Sequence, residues 1–416
     1  MPITQRTGIF YGWIILGASV FIIIATQGVP FSFGVFLKHL EDEFLLSRAA
    51  VSLAPALSGF VHGFSVLFTG WFTDRHGPKV IVIIGGLSIG LGLLLTSRAA
   101  AMWQMLLAYG LLVGFGTACS YVPLATTASR WFEKRRGLAL GILTSGIGLG
   151  TVVMPPLARH LISAQGWRTA YVVIGCAVAL VVVAAGLLLR KQPEDVGQRP
   201  YGETVAQGDT RGSADFEGFT LSEALRTKAL WLLVVSLGLF TTALMMVMYH
   251  LVVYAEEDIG ISEMTAATFL SIIGGANILG RLVIGGISDR LGRKRLFVLC
   301  LLVLGATMVW LTGLRSIWTF YLFAATFGFA YGGVGPMIPA VTGELFGLRH
   351  MGSIFGLAIL VTSFGGAIGP TVAGYVRDVT GSYSTAFFLG AGAMFAAAVG
   401  VFCLKAPKAP ASCTYS

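Results

Sequence analysis

Charged residues are scarce in this chain. Lysine, arginine, aspartate and glutamate together make up 11% of its 416 residues, and hydrophobic residues make up 56%. An ordinary soluble domain carries about 25% charged residues. Because a soluble fold cannot bury so much apolar surface, the composition excludes a nucleic-acid-binding protein and a soluble enzyme. It indicates a protein whose solvent is the lipid bilayer.

Metal and cofactor motifs are also missing from the sequence. The five cysteines are scattered without the spacing of metal ligands, and we expect them to be reduced structural residues. The run from Gly146 to Gly150 resembles a nucleotide-binding fingerprint, but it lies in an apolar segment with no preceding strand. Close helix packing explains it better. We therefore expect no metal, no cofactor and no nucleic-acid partner.

Long apolar runs fill most of the chain. A helix needs about 20 mostly apolar residues to cross a bilayer. Twelve such runs are present, and a polar stretch divides them into an N-terminal six-helix bundle over 1–189, a cytoplasmic linker over 190–228 and a C-terminal bundle with a short tail over 229–416. Thr220 and Glu223 fit a capping box, which predicts a short helix in the linker. The predicted spans are 10–37, 50–72, 80–97, 101–127, 137–161, 168–189, 229–254, 263–287, 296–314, 318–343, 352–376 and 385–404.

The loop charges predict an orientation. Twelve spans place both termini on one side of the membrane, and most lysines and arginines of the loops lie on that side. Two acidic clusters, Glu41–Glu43 and Glu256–Asp258, lie on the other side. By the positive-inside rule both termini and the linker are cytoplasmic. The first apolar run is too long for a signal peptide and lacks a small-residue cleavage site, so we expect it to remain as the first span.

The two halves of the chain repeat at an offset of 215 residues. The loop from Gly70 to Gly77 follows the second span and corresponds to the loop from Gly285 to Gly292 after the eighth, with the same Gly-x-x-x-Asp-Arg-x-Gly pattern. The same offset takes Pro155 to Pro370. Duplicated six-helix halves around a central cavity are typical of secondary transporters.

These paired loops resemble the signature loops of the major facilitator superfamily, and the resemblance covers essentially the whole chain. It implies an all-α membrane protein with twelve transmembrane helices in two pseudo-symmetric six-helix bundles. In that family the loop is taken to latch the two halves in one state. The resemblance thus implies a conformational latch that contains Asp74, Arg75, Asp289 and Arg290. The alternative is that the loops serve only to fix the topology.

A narrower match lies between the fourth and fifth spans. The segment from Trp131 to Gly146 is similar to a signature of the monocarboxylate transporters. Gly12-Trp13 resembles that family's first motif, with Tyr11 in place of its acidic residue. The segment from Pro193 to Gly197 resembles bacterial members and their oxalate/formate-exchanging relatives. The resemblance implies a bacterial monocarboxylate transporter of the inner membrane.

Arg281 is the one basic residue well inside a predicted span. It lies eight residues before Asp289, near the midplane, where an arginine costs at least about 2.5 kcal/mol on insertion scales. No aspartate or glutamate lies at similar depth in a span. A buried cation without a built-in anion predicts an anionic ligand; the alternative is an arginine bonded only to backbone carbonyls and water. Asn277, one turn away on the same face, can bind the ligand or orient the guanidinium.

The family resemblance adds detail to this site. Animal-type members have an Asp–Arg pair at this spacing, and the aspartate is considered part of proton coupling. They also have a lysine that follows a proline in the first helix. In this sequence Asn277 replaces the aspartate and Phe31 replaces the lysine. The chain therefore shares the family's arginine but lacks its proton-coupling groups. Oxalate/formate exchangers have a second cation in helix 11, which this sequence lacks over 352–364. One guanidinium neutralises one carboxylate, which favours a small monocarboxylate such as L-lactate or pyruvate.

Further site candidates are predicted at similar depth. Tyr121, Tyr331 and Ser363 can donate a hydrogen bond to a substrate or to a neighbouring helix, and Phe31 and Phe364 can form an apolar wall or face lipid. Two histidines within spans titrate in a range that suits a proton relay, though each can equally be bonded to a neighbour. They are His250 near the outer end of the seventh span, which is the relay candidate, and His62 in the second span.

The sequence therefore predicts a secondary active transporter of small monocarboxylates that works by alternating access, with proton symport as the favoured coupling. Its expected partners are a small monocarboxylate anion, a proton and the lipid bilayer. A proton-independent carboxylate antiporter of the oxalate/formate type is the alternative. An intramembrane enzyme is disfavoured because the spans contain neither an acidic pair nor a His/Cys cluster. A channel is disfavoured as well, and saturable uptake would exclude it.

Overall fold

Long helices account for nearly all of the chain in the computed structural model, which describes residues 10–45, 48–202 and 218–407. In lipid, every backbone N–H and C=O has to be bonded within the protein, and a helix does this within one segment. Of the described helices, 11 are long and apolar enough to cross a membrane. One of them, Arg136–Gly186, has 51 residues and is non-helical at Gly166, where φ is 81°. Glycine adopts that angle freely, so the chain turns at Gly166 and the segment consists of two spanning helices. The described residues therefore contain twelve spanning helices.

We number the spanning helices α1 to α12 in chain order. Several continue past their predicted ends, because a helix tolerates polar residues once it reaches the headgroup region; α1 runs to Phe44 and α4 to Trp131. The helices are α1 Tyr11–Phe44, α2 Leu53–His76, α3 Pro78–Ser97, α4 Met102–Trp131, α5 136–165, α6 167–186, α7 Lys228–Val253, α8 Glu263–Leu291, α9 Arg293–Leu311, α10 Ile317–Phe346, α11 Met351–Thr380 and α12 Tyr383–Cys403.

The chain forms two compact units. The first comprises Met1–Phe216 together with Leu348–Gly356, the segment that contains the start of α11. Within it α1 packs against α5 at glycines: a Cβ on Gly150 would lie 2.9 Å from the Ile24 carbonyl oxygen and 3.1 Å from the Gly28 backbone. Small residues of this kind let helix backbones approach closely in a membrane.

The second unit comprises Glu217–Gly347 and Leu357–Ser416. Its closest helix pair is α8 with α10, and again glycines make the contact. A Cβ on Gly328 would collide with the backbone of Ile273, and one on Gly332 with the carbonyl of Asn277. The backbone of α10 therefore lies directly against the part of α8 that carries Asn277.

Helix α4 is interrupted at mid-span. Leu106–Val113 is π-helical, and the regular helix then breaks between Ala118 and Tyr121. Pro123 explains the break, because proline has no N–H to donate and its ring crowds the carbonyl four residues earlier. The break leaves Ser120 in an irregular turn inside the first unit, and such interruptions frequently mark functional sites.

The end of the predicted linker is helical. The Thr220 hydroxyl accepts a 3.2 Å hydrogen bond from the Glu223 N–H, and the Glu223 carboxylate accepts one of 2.8 Å from the Thr220 N–H. This reciprocal capping box begins the short helix Leu221–Leu225. Residues 203–217 of the predicted linker lie outside the described residues.

Candidate functional site

Arg281 is buried in the middle of α8, with 5% of its surface exposed. Its Nε donates a 2.7 Å hydrogen bond to Oδ1 of Asn277, which is also 5% exposed. Residues four apart lie on the same helix face, so a single helix builds this contact. This hydrogen bond orients the guanidinium.

The facing helix leaves room for the guanidinium. A Cβ on Gly335 of α10 would lie 3.5 Å from Nη1 of Arg281, in van der Waals contact with it, so a side chain longer than alanine would compete for that space. Sequence reasoning missed Gly335. The available signal was the spacing of Gly328, Gly332 and Gly335, which places three glycines on one face of α10.

The Arg281–Asn277 pair is rich in hydrogen-bond donors. Nδ2 of Asn277 is buried and has no hydrogen-bond partner among the described residues. An amide nitrogen only donates, and a buried donor is costly unless an acceptor meets it. A carboxylate is suited to this arrangement because it only accepts and can bind a guanidinium through both oxygens.

Three other predicted binding residues of the second unit lie on α10 and α11. Tyr331 is half-buried, with its ring centroid 6.4 Å from that of Phe240. The Ser363 hydroxyl donates a 3.1 Å hydrogen bond to the Ile359 carbonyl of its own helix. Phe364 has 43% of its surface exposed. Since the Ser363 proton is already donated within α11, Ser363 can donate to a substrate only by leaving Ile359.

His250 has partners near the C-terminal end of α7. Its Nε2 lies 3.1 Å from the Pro370 carbonyl oxygen. A carbonyl only accepts, so Nε2 is the donor of this hydrogen bond. The ring centroid of Tyr383 is 5.1 Å from that of His250, and Arg377, which pairs with Asp258 at 3.2 Å, lies over the same tyrosine.

Two predicted binding residues belong to the first unit. Tyr121, which begins the last segment of α4, is half-buried, and its ring meets that of Phe355 edge-on at 5.5 Å. Phe31 on α1 has 53% of its surface exposed.

Asp74, at the end of α2, is the most heavily bonded carboxylate among the described residues of the first unit. It accepts a 2.9 Å ion-paired hydrogen bond from Arg130 of α4. It also accepts bonds of 2.8 to 2.9 Å from the backbone N–H groups of Gly352 and Ser353 and from the Ser353 hydroxyl. Sequence reasoning missed Arg130, because it lies just beyond the apolar window that defined the fourth span.

The equivalent loop of the second unit is bonded differently. Asp289 accepts a 3.0 Å hydrogen bond from Arg293, and Arg293 also pairs with Glu344 at 2.7 Å. The two remaining latch candidates, Arg75 and Arg290, are exposed. The two copies of the signature loop therefore share a sequence pattern but have different ion-pair networks.

Comparison with known proteins assigns the family. The sequence model of the Major Facilitator Superfamily matches residues 15–294 and 276–414. Monocarboxylate transporter 13 of Bos taurus is 30% identical over 406 residues, which cover 95% of this chain and 91% of that relative. The chain belongs to the monocarboxylate transporter family. Human monocarboxylate transporter 12 is 26% identical over 401 residues, covering 91% of this chain and 77% of its own.

A solved structure of another protein has the same fold as this chain. The crystal structure of the Escherichia coli fucose:proton symporter aligns with a TM-score of 0.72 and 16% identity, covering 96% of this chain and 100% of the other. The predicted major facilitator fold and the multi-pass membrane location are thus confirmed. The relatives are transporters, which also confirms that the protein is not an enzyme.

Proposed function

We propose that the protein carries small monocarboxylate anions such as L-lactate or pyruvate across the membrane by alternating access. The observation that carries this proposal is the Arg281–Asn277 pair, which has a fixed guanidinium and an unused buried amide donor. The names of its relatives, which are monocarboxylate transporters, agree with that chemistry. One guanidinium neutralises one carboxylate, so a monocarboxylate is favoured over a dicarboxylate, whose second buried charge would need another cation.

Proton symport is the favoured coupling. The proton-relay candidate is His250, whose Nε2 donates a hydrogen bond to the Pro370 carbonyl oxygen. The second candidate function is proton-independent carboxylate exchange, which is favoured by Asn277 because an amide stands where animal-type relatives have a titratable aspartate. Tyr121, Tyr331, Ser363, Phe31 and Phe364 remain proposed substrate contacts.

The proposed orientation places both termini and the linker in the cytoplasm of a bacterial cell, at the inner membrane. It rests on the excess of lysine and arginine in the loops on that side. In this orientation the signature loops are cytoplasmic. Asp74 and Asp289, with the exposed Arg75 and Arg290, form the proposed conformational latch, and Arg130 joins it as the partner of Asp74.

Uptake of labelled L-lactate into liposomes that contain the purified protein tests the coupling. With an acidic exterior and a neutral interior, a symporter accumulates lactate severalfold over the equal-pH control, because inward proton flow drives it. Empty liposomes measured under the same gradient correct for passive entry of the protonated acid. An exchanger would ignore the gradient and require unlabelled carboxylate inside. Uptake that depends only on internal carboxylate would reject symport but would not contradict the proposed carboxylate site.

A further inference from the structure

The second unit has a surface groove at the start of α7. It lies where the short helix Leu221–Leu225 meets α7, and residues of both elements form its walls. Its volume is about 560 Å³. We call it the α7 groove, and its lining includes Leu225, Arg226, Lys228, Trp231, Leu232 and Val235. The proposed transport function uses none of these residues.

The lining residues of α7 share one face of that helix. From Lys228, the next ones lie three, four and seven positions along the chain, a spacing that keeps side chains on one side of a helix. The last of them, Val235, lies about 10 Å further along the helix axis than Lys228, at a rise of about 1.5 Å per residue. Trp231 and Val235 have 52% and 54% of their surface exposed. The groove therefore leads from a charged end along an exposed apolar wall.

This change from charged to apolar matches the edge of a bilayer. α7 is one of the helices long and apolar enough to cross a membrane, and Lys228 is its first residue. The Trp231 Nε1 donates a 2.9 Å hydrogen bond to the Leu225 carbonyl oxygen, so the indole is bonded at its polar end and exposed elsewhere. Tryptophan of this kind is enriched at membrane–water interfaces. The charged end of the groove thus lies at headgroup level, and its apolar wall extends toward the hydrocarbon.

The charged end of the groove is suited to an anion. Arg226 and Lys228 are both exposed, and neither side chain has a hydrogen bond or ion pair within the described part of the chain. The nearest acidic residue along the sequence, Glu223, already accepts a hydrogen bond from the Thr220 N–H. The N-terminus of the 26-residue α7 adds the positive end of its helix dipole. Two cations therefore meet at one end of a groove that is otherwise mostly apolar.

The internal repeat shows a protein cover at the equivalent position of the first unit. The offset of 215 residues takes Tyr11, at the start of α1, to Arg226. The Tyr11 N–H donates a 3.0 Å hydrogen bond to the Gln198 side chain, and its hydroxyl donates one of 2.9 Å to the Leu188 carbonyl. The segment after α6 thus covers the start of α1. Among the described residues, no segment is bonded to the Arg226 side chain, so the equivalent position beside α7 is open.

We propose that the α7 groove binds one anionic phospholipid of the surrounding bilayer. Its phosphate accepts hydrogen bonds from Arg226 and Lys228, and the first part of one acyl chain packs along Trp231 and Val235. A free phosphate ion has the same charge chemistry but makes no use of the apolar wall, which favours the lipid. The inference does not depend on the transported substrate, so its failure leaves the proposed function untouched.

Native mass spectrometry of the purified protein in detergent counts bound lipids and tests the proposal. The probes are phosphatidylglycerol, which has one net negative charge, and phosphatidylcholine with the same acyl chains and no net charge. We expect wild type to bind one phosphatidylglycerol in preference to phosphatidylcholine. The double substitution Arg226→Gln with Lys228→Gln is expected to weaken that binding about thirtyfold, because it removes two cations at the membrane surface.

A matched double substitution controls for net charge. Arg295→Gln with Lys405→Gln also removes two exposed cations from the second unit, and neither residue lines the groove. Its binding of phosphatidylglycerol is expected to equal that of wild type. Arg226→Lys keeps the charge and is expected to retain most of the binding. Melting temperatures measured without added lipid check that each variant is folded.

Loss of phosphatidylglycerol from the groove variant, with retention in the matched control, supports the proposal. Equal weakening in both double variants overturns it, because binding then follows net charge rather than the groove. A wild-type protein that binds no phosphatidylglycerol, or binds both lipids equally well, overturns it as well. Displacement of the bound lipid by an excess of inorganic phosphate would show that the groove holds a free anion instead.

Discussion

Replacing Arg281 with alanine is expected to lower L-lactate uptake at least about a hundredfold, which corresponds to roughly 3 kcal/mol of lost binding. The guanidinium is buried, and a carboxylate taken into the membrane without it has no cationic partner in the proposed site. Arg281→Lys is expected to retain part of the activity. Lysine keeps the charge but loses both the bidentate geometry and the Nε contact with Asn277.

Arg315→Ala provides the control for this series. Arg315 belongs to the same unit but is exposed, and it bonds only neighbouring loop carbonyls among the described residues. Uptake of labelled lactate by transporter-lacking cells, normalised to the amount of protein in the membrane, measures all three variants. Uptake by Arg281→Ala equal to that of Arg315→Ala would remove Arg281 from the proposed site.

Replacing Asp74 with alanine is expected to destabilise the protein by about 3–5 kcal/mol, because it removes the carboxylate that pairs with a buried arginine. Arg130 is 2% exposed, and the substitution also removes the acceptor for the N–H groups of Gly352 and Ser353. The matched change is Asp289→Ala at the equivalent position of the repeat. Its cost is smaller, about 1 kcal/mol, since Arg293 keeps its pairing with Glu344.

Thermal unfolding of the purified variants in detergent measures this difference. The double substitution Asp74→Ala with Arg130→Met adds a further check, because removing both charges is less costly than removing one. We expect its melting temperature to lie between those of wild type and Asp74→Ala. Equal melting temperatures for the Asp74 and Asp289 variants would show that the buried pair does not stabilise the first unit.

Much of the fold could be predicted because span length and the repeat are properties of sequence. The boundary of α4 was harder to predict. The hydropathy pattern predicts that the fourth span ends at residue 127, but the helix continues to Trp131. Arg130 therefore lies within α4, where it forms a buried ion pair with Asp74. Charge alone cannot reveal that burial, since the partner Asp74 comes from another helix.

The candidate site was predictable where one helix builds it. The spacing of Asn277 and Arg281 placed both on one face of α8, and they are hydrogen-bonded there. Contacts that depend on how helices rotate and pack against one another could not be predicted from the sequence. The role of Gly335 arises from a neighbouring helix, and no local pattern encodes which faces meet. Ser363 is predicted to donate either to a substrate or to a neighbouring helix, whereas its hydroxyl proton is donated within its own helix.

Competition during labelled L-lactate uptake into liposomes tests most directly the claim that this is a carrier of small monocarboxylates with one cationic site. The account predicts saturable uptake that unlabelled monocarboxylates inhibit strongly. Oxalate, a dicarboxylate, is expected to inhibit uptake at least about tenfold more weakly, because its second carboxylate would be buried without a cationic partner. Inhibition by oxalate as strong as that by lactate, or uptake that does not saturate, would contradict it.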